Sequence, residues 1–283
     1  MASETQTSSV SDSELGIKSH YESSYNPDKL FPISRTDKRL EIGVDPNNLP
    51  FLGFDRWTHY EVSWLNSKGK PMVGIAEIVY PCDSQCIIES KSLKLYFNTL
   101  NNTKYDSVDA LVKVITADLT KAVQAPVSIQ LSLIGDKQQQ LIEPQFTGFC
   151  LDDLDISCDT YQVEPNFLEV VTGKVVNETV HANVLKSNCL VTHQPDWGSI
   201  QIQYAGEQIV HQGLLKYIVS FREHNEFHEQ CIERIFNDIM QRCHPTHLTV
   251  YGRYTRRGGL DINPIRSTHE IAEQKLSHRL IRQ

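Results

Sequence analysis

Two apolar stripes, each stopped by a proline and followed by an alternating strand, constrain this chain most. In the first, Val108, Leu111, Val112, Ile115 and Leu119 recur at the spacing of one helix face. Asp106 or Ser107 is placed to cap that helix, and Pro126 stops it. Residues 127–133 then alternate as a half-buried strand does. In the second, Ile232, Ile235, Ile239 and Cys243 make the stripe, Asn225 is the expected N-cap, and Pro245 ends the helix ahead of a strand over 248–254.

The elements around the stripes fall in the same order twice. Tyr60, Val62 and Trp64 mark a strand over 58–64, Lys68 to Pro71 turns the chain, and 73–80 returns as a second strand. Leu93, Phe97 and Leu100 predict a helix starting at Glu89–Ser90, and a strand near 145–151 follows the first stripe. In the second half, strands are expected over 179–191 and 199–205, a helix at Leu214, Leu215, Ile218 and Val219, and a closing strand at 260–262. The reading is an α+β protein of two tandem copies of one module, with little residue identity between them. The expected boundaries are an N-terminal arm over 1–48 with its first 15 or so residues mobile, a first module over 49–151, a connector over 152–178, and a second module over 179–283.

Composition excludes several classes. With 40% hydrophobic residues the chain builds real cores, and a formal charge of −8 argues against a broad nucleic-acid or anionic-membrane surface. Seven cysteines without a paired framework, a start lacking a basic and apolar leader, and no membrane-length apolar run point to a cytoplasmic protein with free thiols. Cys82 and Cys86 resemble half a metal site with no second half, which favours a structural role.

The chemistry concentrates in three stretches, 185–198, 224–229 and 89–96. Cys189 stands seven residues ahead of Asp196, which precedes Trp197 and Gly198. A thiol attacks as thiolate, and a carboxyl desolvated beside an indole keeps a proton to deliver, a combination suited to covalent attack on a polarised carbon. A lone cysteine is also commonly just a small buried hydrophobe. His228 and Glu229 fall in the first turn of the second striped helix, His228 on its inward face and Glu229 at the edge, where ionisable groups need partners or a purpose. Glu226 reads as a surface residue. His224, His228 and Cys189 leave a zinc site open, although Asn225 stands where the metalloprotease pattern wants glutamate. Arg253, Arg256, Arg257, Gly258 and Gly259 make a basic, glycine-bearing turn suited to phosphate or to a solvated hairpin tip. With neither G-x-G-x-x-G nor a Walker loop, no Rossmann fold would hold a dinucleotide here.

Together these stretches resemble one family, the NADPH-dependent 7-cyano-7-deazaguanine reductases (the QueF family, nitrile oxidoreductases of queuosine biosynthesis). The segment Glu89-Ser-Lys-Ser-Leu-Lys-Leu-Tyr96 is similar to the family signature. Ser187-Asn-Cys189, Gln194-Pro-Asp-Trp-Gly198, His224-Asn-Glu-Phe-His-Glu229 and Tyr254-Thr-Arg-Arg-Gly-Gly-Leu-Asp261 resemble the long, two-module form, from about Leu49 onward. The resemblance implies two tandem tunnelling-fold (T-fold) modules, each an antiparallel sheet with two helices on one face. It implies reduction of a nitrile to a primary amine with two NADPH and no metal. It further implies that Cys189 forms a covalent thioimide, Asp196 protonates the nitrile nitrogen, and His228 assists proton transfer. Ile88, Glu89, Ser90, His228 and Glu229 would bind the deazapurine, and Ser90, Lys91, Arg257 and Gly258 would bind NADPH. Family members assemble through their sheets, so a homodimer or higher homo-oligomer is expected, with no direct nucleic-acid or membrane contact. Two other readings stay open: a zinc-dependent purine-ring hydrolase on the same fold, and a non-catalytic purine- or pterin-binding scaffold.

Overall fold

The structure, a computed structural model, describes residues 22–136, 142–272 and 279–283, so the expected mobile start lies outside the described residues. In chain order the elements are β1 (Pro32–Ser34), α1 (Thr36–Glu41), β2 (Leu52–Leu65), β3 (Pro71–Pro81), β4 (Cys86–Ile88), α2 (Ser90–Leu100), α3 (Val108–Val123), β5 (Ser128–Leu133), β6 (Ile142–Glu143) and β7 (Phe149–Cys150). They continue with β8 (Val170–Asn188), β9 (Pro195–Ile209), α4 (His211–Ser220), α5 (His228–Cys243), β10 (His247–Tyr254), β11 (Leu260–Ser267) and β12 (Arg279–Leu280). The architecture is mixed α and β. Its described residues divide into two compact units, one of 22–38, 56–136 and 257–260, the other of 39–55, 142–256, 261–272 and 279–283.

In the first unit the strand order is β5-β3-β2, with β3 and β5 antiparallel and Gly74 opposite Leu133. The β2–β3 turn is held by Asn66, whose side-chain oxygen accepts from the amides of Lys68 and Lys70, both at 3.0 Å. Leu111, Ile115, Leu119 and Val123 are the buried stripe of α3, while Val108 and Val112 sit at its margin. Ser107 caps this helix through the Ala110 amide, and Gln124 ends it in the left-handed conformation. The predicted N-terminal arm includes regular structure: β1 pairs antiparallel with β4, Pro32 opposite Ile88.

In the second unit the order is β11-β10-β9-β8-β7. The β9 and β10 side chains Ile200, Ile202, Tyr204, Leu248 and Val250 are buried, on the face that packs against α5. A Cβ on Gly252 would stand 2.6 Å from Ile232 Cδ1, so the missing side chain lets helix and strand approach. Three sequence expectations change here. Residues 170–178, expected in the connector, belong to β8. Val171 and Val175 lie exposed there, so that end of the strand lacks a half-buried pattern. The strand near 145–151 contracts to β7, which pairs parallel with β8. The cap of α5 is Phe227, not Asn225; the Asn225 side chain accepts from His193 Nδ1 at 2.9 Å instead.

The N-terminal half of α5 is fixed by a buried ionic cluster. Glu233 accepts from Arg39 at 2.9 and 2.8 Å and from Arg266 at 3.1 and 2.9 Å, while Arg266 also reaches Asp55 at 2.8 Å. All four side chains are buried.

The two helix pairs repeat one bond that sequence identity does not reveal. Tyr96, seventh in α2, donates to Asp118, eleventh in α3, at 2.6 Å. Tyr217, seventh in α4, donates to Asp238, eleventh in α5, also at 2.6 Å. Three residues after each tyrosine, Thr99 and Ser220 bond back to its carbonyl at 2.6 Å. His244 closes α5 in the left-handed conformation, as Gln124 closes α3.

Candidate active site

Strand register assembles the thiol side of the site. Ser187 on β8 lies opposite Asp196 on β9, and Gly198 lies opposite Tyr254 on β10. Strand side chains alternate, so Asp196 shares the α5-facing side with Gly198, Ile200 and Gly252. Cys189 follows the end of β8, is 5% exposed, and sits in a turn where its amide donates to Gln194 O at 2.9 Å and its carbonyl accepts from His193 N at 3.1 Å. His228, the first residue of α5, brings Nε2 to 3.7 Å from Asp196 Oδ1. That is ion-pair range, longer than a hydrogen bond. Glu229 is 1% exposed in the same first turn.

Trp197 does not desolvate Asp196 as the sequence suggested. Consecutive strand residues face opposite ways, and Trp197 is 38% exposed with the Arg222 guanidinium 5.6 Å over its ring. Asp196 is buried beneath α5 instead. Sequence reasoning also passed over Tyr254. Its ring stands edge-on to His228 at 4.1 Å between centroids, and a Cβ on Gly198 would crowd it at 3.1 Å. Gly198 is the signal that could have found it. Neighbouring Cys231 is fully buried, and burial pushes its thiol up to about 12; Cys243 is likewise pushed up to about 11. Neither is a nucleophile near neutral pH.

The other predicted residues lie in the first unit. Ile88 ends β4, and Glu89 caps α2, its two oxygens accepting from the Lys91 and Ser92 amides, both at 2.7 Å. Burial raises the Glu89 pKa, against the pull of those amides and of Lys94 and Lys91. Each oxygen keeps a lone pair for another N–H donor. Ser90 and Lys91 open the helix. Gly258 and Gly259 both hold positive φ, 60° and 73°, and a Cβ on Gly258 would stand 2.9 Å from Lys94 Nζ. Backbone bonds close the turn: Arg257 N donates to Leu260 O at 3.0 Å, and Gly259 O accepts from Tyr60 N at 2.8 Å. His59 Nδ1 meets the same carbonyl at 3.2 Å, and burial lowers its pKa to about 4. A glycine turn carrying Arg257 beside a lysine ammonium suits phosphate oxygens. Arg253 and Arg256 of the expected basic turn bond instead to Gln283, at 3.0 and 2.7 Å.

His224 Nε2 donates to Glu226 at 2.7 Å, and Glu226, read from sequence as a surface residue, is 2% exposed. Among the described residues no group of three or more His, Cys, Asp or Glu could hold a metal ion, and no helix is long and apolar enough to cross a membrane. A cavity of about 540 Å³, lined by residues including Gln201, Gln203, Thr249 and Tyr251, takes in Arg253 of the expected basic turn but none of the residues expected to act in catalysis or to bind substrate or NADPH.

Comparison with known proteins gives these groups a context. Residues 21–131 match the family model described as nitrile reductase, 7-cyano-7-deazaguanine-reductase N-term, and residues 195–273 match the model described as QueF-like protein. The NADPH-dependent 7-cyano-7-deazaguanine reductase of Legionella pneumophila (strain Corby) is 58% identical over 96% of this chain and 95% of that protein. The reductases of the same name from Hydrogenovibrio crunogenus and Chromobacterium violaceum are 50% and 51% identical, over 98% and 92% of this chain and 99% and 93% of theirs. With identity of that order along nearly its whole length, this chain belongs to the NADPH-dependent 7-cyano-7-deazaguanine reductase family.

Proposed function

We propose that this chain reduces the nitrile of 7-cyano-7-deazaguanine (preQ0) to the amine of 7-aminomethyl-7-deazaguanine (preQ1), a step in tRNA queuosine biosynthesis, through a covalent thioimide on Cys189. Family membership supports the overall reaction. The observation that carries the route is the register pairing that puts Asp196 on the α5-facing side of the strand beside β8, which leads into Cys189, with His228 3.7 Å from Asp196.

The Cys189 sulfur attacks the nitrile carbon, a carbon–nitrogen π bond breaks, and Asp196 protonates the nitrogen to give the thioimide. NADPH supplies two hydrides in turn, one to the thioimide carbon and one to the imine carbon. Between them the carbon–sulfur bond breaks, and the Cys189 thiolate departs. His228 passes protons toward the nitrogen and keeps Asp196 oriented. The balance is one nitrile, two NADPH and two protons giving one primary amine and two NADP⁺. Glu89 and Glu229 accept N–H bonds from the deazapurine, with Ile88, Ser90 and His228 lining it. Ser90, Lys91, Arg257 and Gly258 hold the dinucleotide phosphates. Acidic groups for the base and basic groups for the cofactor keep the ligands from exchanging places.

The repeated tyrosine–aspartate bond in the two helix pairs supports two tandem T-fold modules, one over 49–151 and one that begins with β8 at Val170, after an arm over 1–48 and joined by a connector that ends before β8. The assembly is a homodimer or higher homo-oligomer in the cytoplasm, without direct nucleic-acid contact. The test is incubation with the nitrile in the absence of NADPH, read by intact mass: wild type gains one ligand mass and Cys189→Ala gains none. An adduct on Cys189→Ala removes Cys189 as the nucleophile.

A further inference from the structure

Residues 224–226 hold the end of β8 from outside. Asn188 N donates to His224 O at 2.8 Å, and Glu226 N donates to Asn188 O at 3.1 Å, so the residue just before Cys189 is bonded in both directions. Lys186 Nζ adds bonds to Asn188 Oδ1 and Arg222 O, both at 2.6 Å. The Glu226 carboxylate then turns to α5. Its Oε2 accepts from His224 Nε2 at 2.7 Å and Arg234 Nε at 3.3 Å, and its Oε1 meets an Arg234 terminal nitrogen at 3.5 Å. Arg234 lies on α5, the helix that opens with His228 and Glu229.

A carboxylate this buried is costly unless its partners compensate it. Burial raises its pKa, but the His224 bond and the Arg234 charge outweigh burial, and the net shift is downward. Glu226 is therefore an anion at neutral pH, clamped between the segment that binds Asn188 and the helix that carries the proton-transfer group.

We propose that Glu226 is a positioning residue of the reaction: it locks the strand end leading into Cys189 to helix α5, and so fixes the thiol relative to His228 and Asp196. The inference rests on the covalent route above. Reaction rates fall steeply with ångström misplacement of reacting groups. Loosening this clamp therefore slows bond formation more than it weakens ligand binding.

The test uses Glu226→Gln, which keeps the shape and removes the charge, and Arg234→Gln, which cuts the same link from the helix side. Thioimide growth is followed by ultraviolet absorbance at saturating 7-cyano-7-deazaguanine without NADPH. The expected result in both variants is a rate lower by about tenfold or more, with the final adduct amplitude preserved. Affinity for the nitrile, measured with Cys189→Ala added to each variant, changes by less than about twofold (0.4 kcal/mol) from that of Cys189→Ala alone. A merely structural role would lower the amplitude, not the rate, and overturns the proposal. So do wild-type rates in both variants, or parallel losses of rate and affinity. If wild type forms no adduct at all, the covalent route itself is refuted and this inference falls with it; an adduct in wild type with unchanged variant rates refutes the inference alone.

Discussion

Glu233→Gln isolates the contribution of the buried ionic cluster that seats α5. In the native protein one carboxylate accepts four guanidinium bonds, two from Arg39 and two from Arg266. The four side chains Arg39, Arg266, Asp55 and Glu233 carry two positive and two negative charges. Glutamine keeps the volume but leaves the cluster with one net positive charge in a site where Arg266 and Asp55 are 0% exposed. The amide NH₂ also replaces one acceptor with a donor facing a guanidinium. With the amide at the Oε2 position one charged hydrogen bond, about 1.5–3 kcal/mol net, is lost outright, and the other three, all on Oε1, lose their anionic acceptor. Breaking a buried pair from one side costs about 3–5 kcal/mol in all. Urea unfolding followed by tryptophan fluorescence should therefore show a midpoint shift equivalent to about 4 kcal/mol at an unchanged slope. A double cycle with Arg39→Met should return part of the loss, because the surplus charge is then gone. A Glu233→Gln loss below about 1 kcal/mol would refute the reasoning, since it would mean that the cluster relaxes into water.

Three further outcomes follow from the site. Asp196→Asn removes the carboxylic proton while keeping the side chain's size, and thioimide formation should slow by about 100-fold or more in stopped-flow absorbance; a wild-type rate would exclude Asp196 as the proton donor. Glu229→Ala should weaken nitrile binding by about 2 kcal/mol, because the ring N–H groups would lose a desolvated acceptor; calorimetry on the Cys189→Ala background reads this directly, and unchanged affinity moves the ring elsewhere. The depressed pKa of Glu226 makes its contribution to stability fully present above the unfolded carboxyl pKa and lost as pH falls through the lower folded value. Urea midpoints measured across that acid window should fall for wild type, and Glu226→Gln should remove that part of the slope; an equal slope in both proteins would contradict the assignment.

The helices were legible because their stripes are strong. Leu111, Ile115 and Leu119 on α3, and Ile232, Ile235 and Ile239 on α5, are all buried as their spacing requires. Ser107 capped where it was expected to. Local propensity misplaced the α5 cap, because Asn225 is drawn to His193 by the turn after Cys189, a contact that no short-range rule contains. Glu226 looked like an ordinary charge near a helix start; its burial depends on Arg234, eight residues on, and on the pairing of 224–226 with Asn188. The beginning of β8 was hidden because Val171 and Val175 are exposed, so alternation fails where the strand leaves the core. Trp197 gives Asp196 no cover, because a strand sends sequence neighbours to opposite faces. The residue types at the site were readable, whereas the register that sets Asp196 opposite Ser187 emerges only once β8 and β9 are paired.

The most direct measurement is the intact mass of wild type and Cys189→Ala after incubation with 7-cyano-7-deazaguanine and no reductant. Transient sulfur–carbon bonding at residue 189 predicts one added ligand mass on wild type, discharged when NADPH is supplied, and none on the variant. Wild type that stays at its unmodified mass while still consuming NADPH with the nitrile would contradict it.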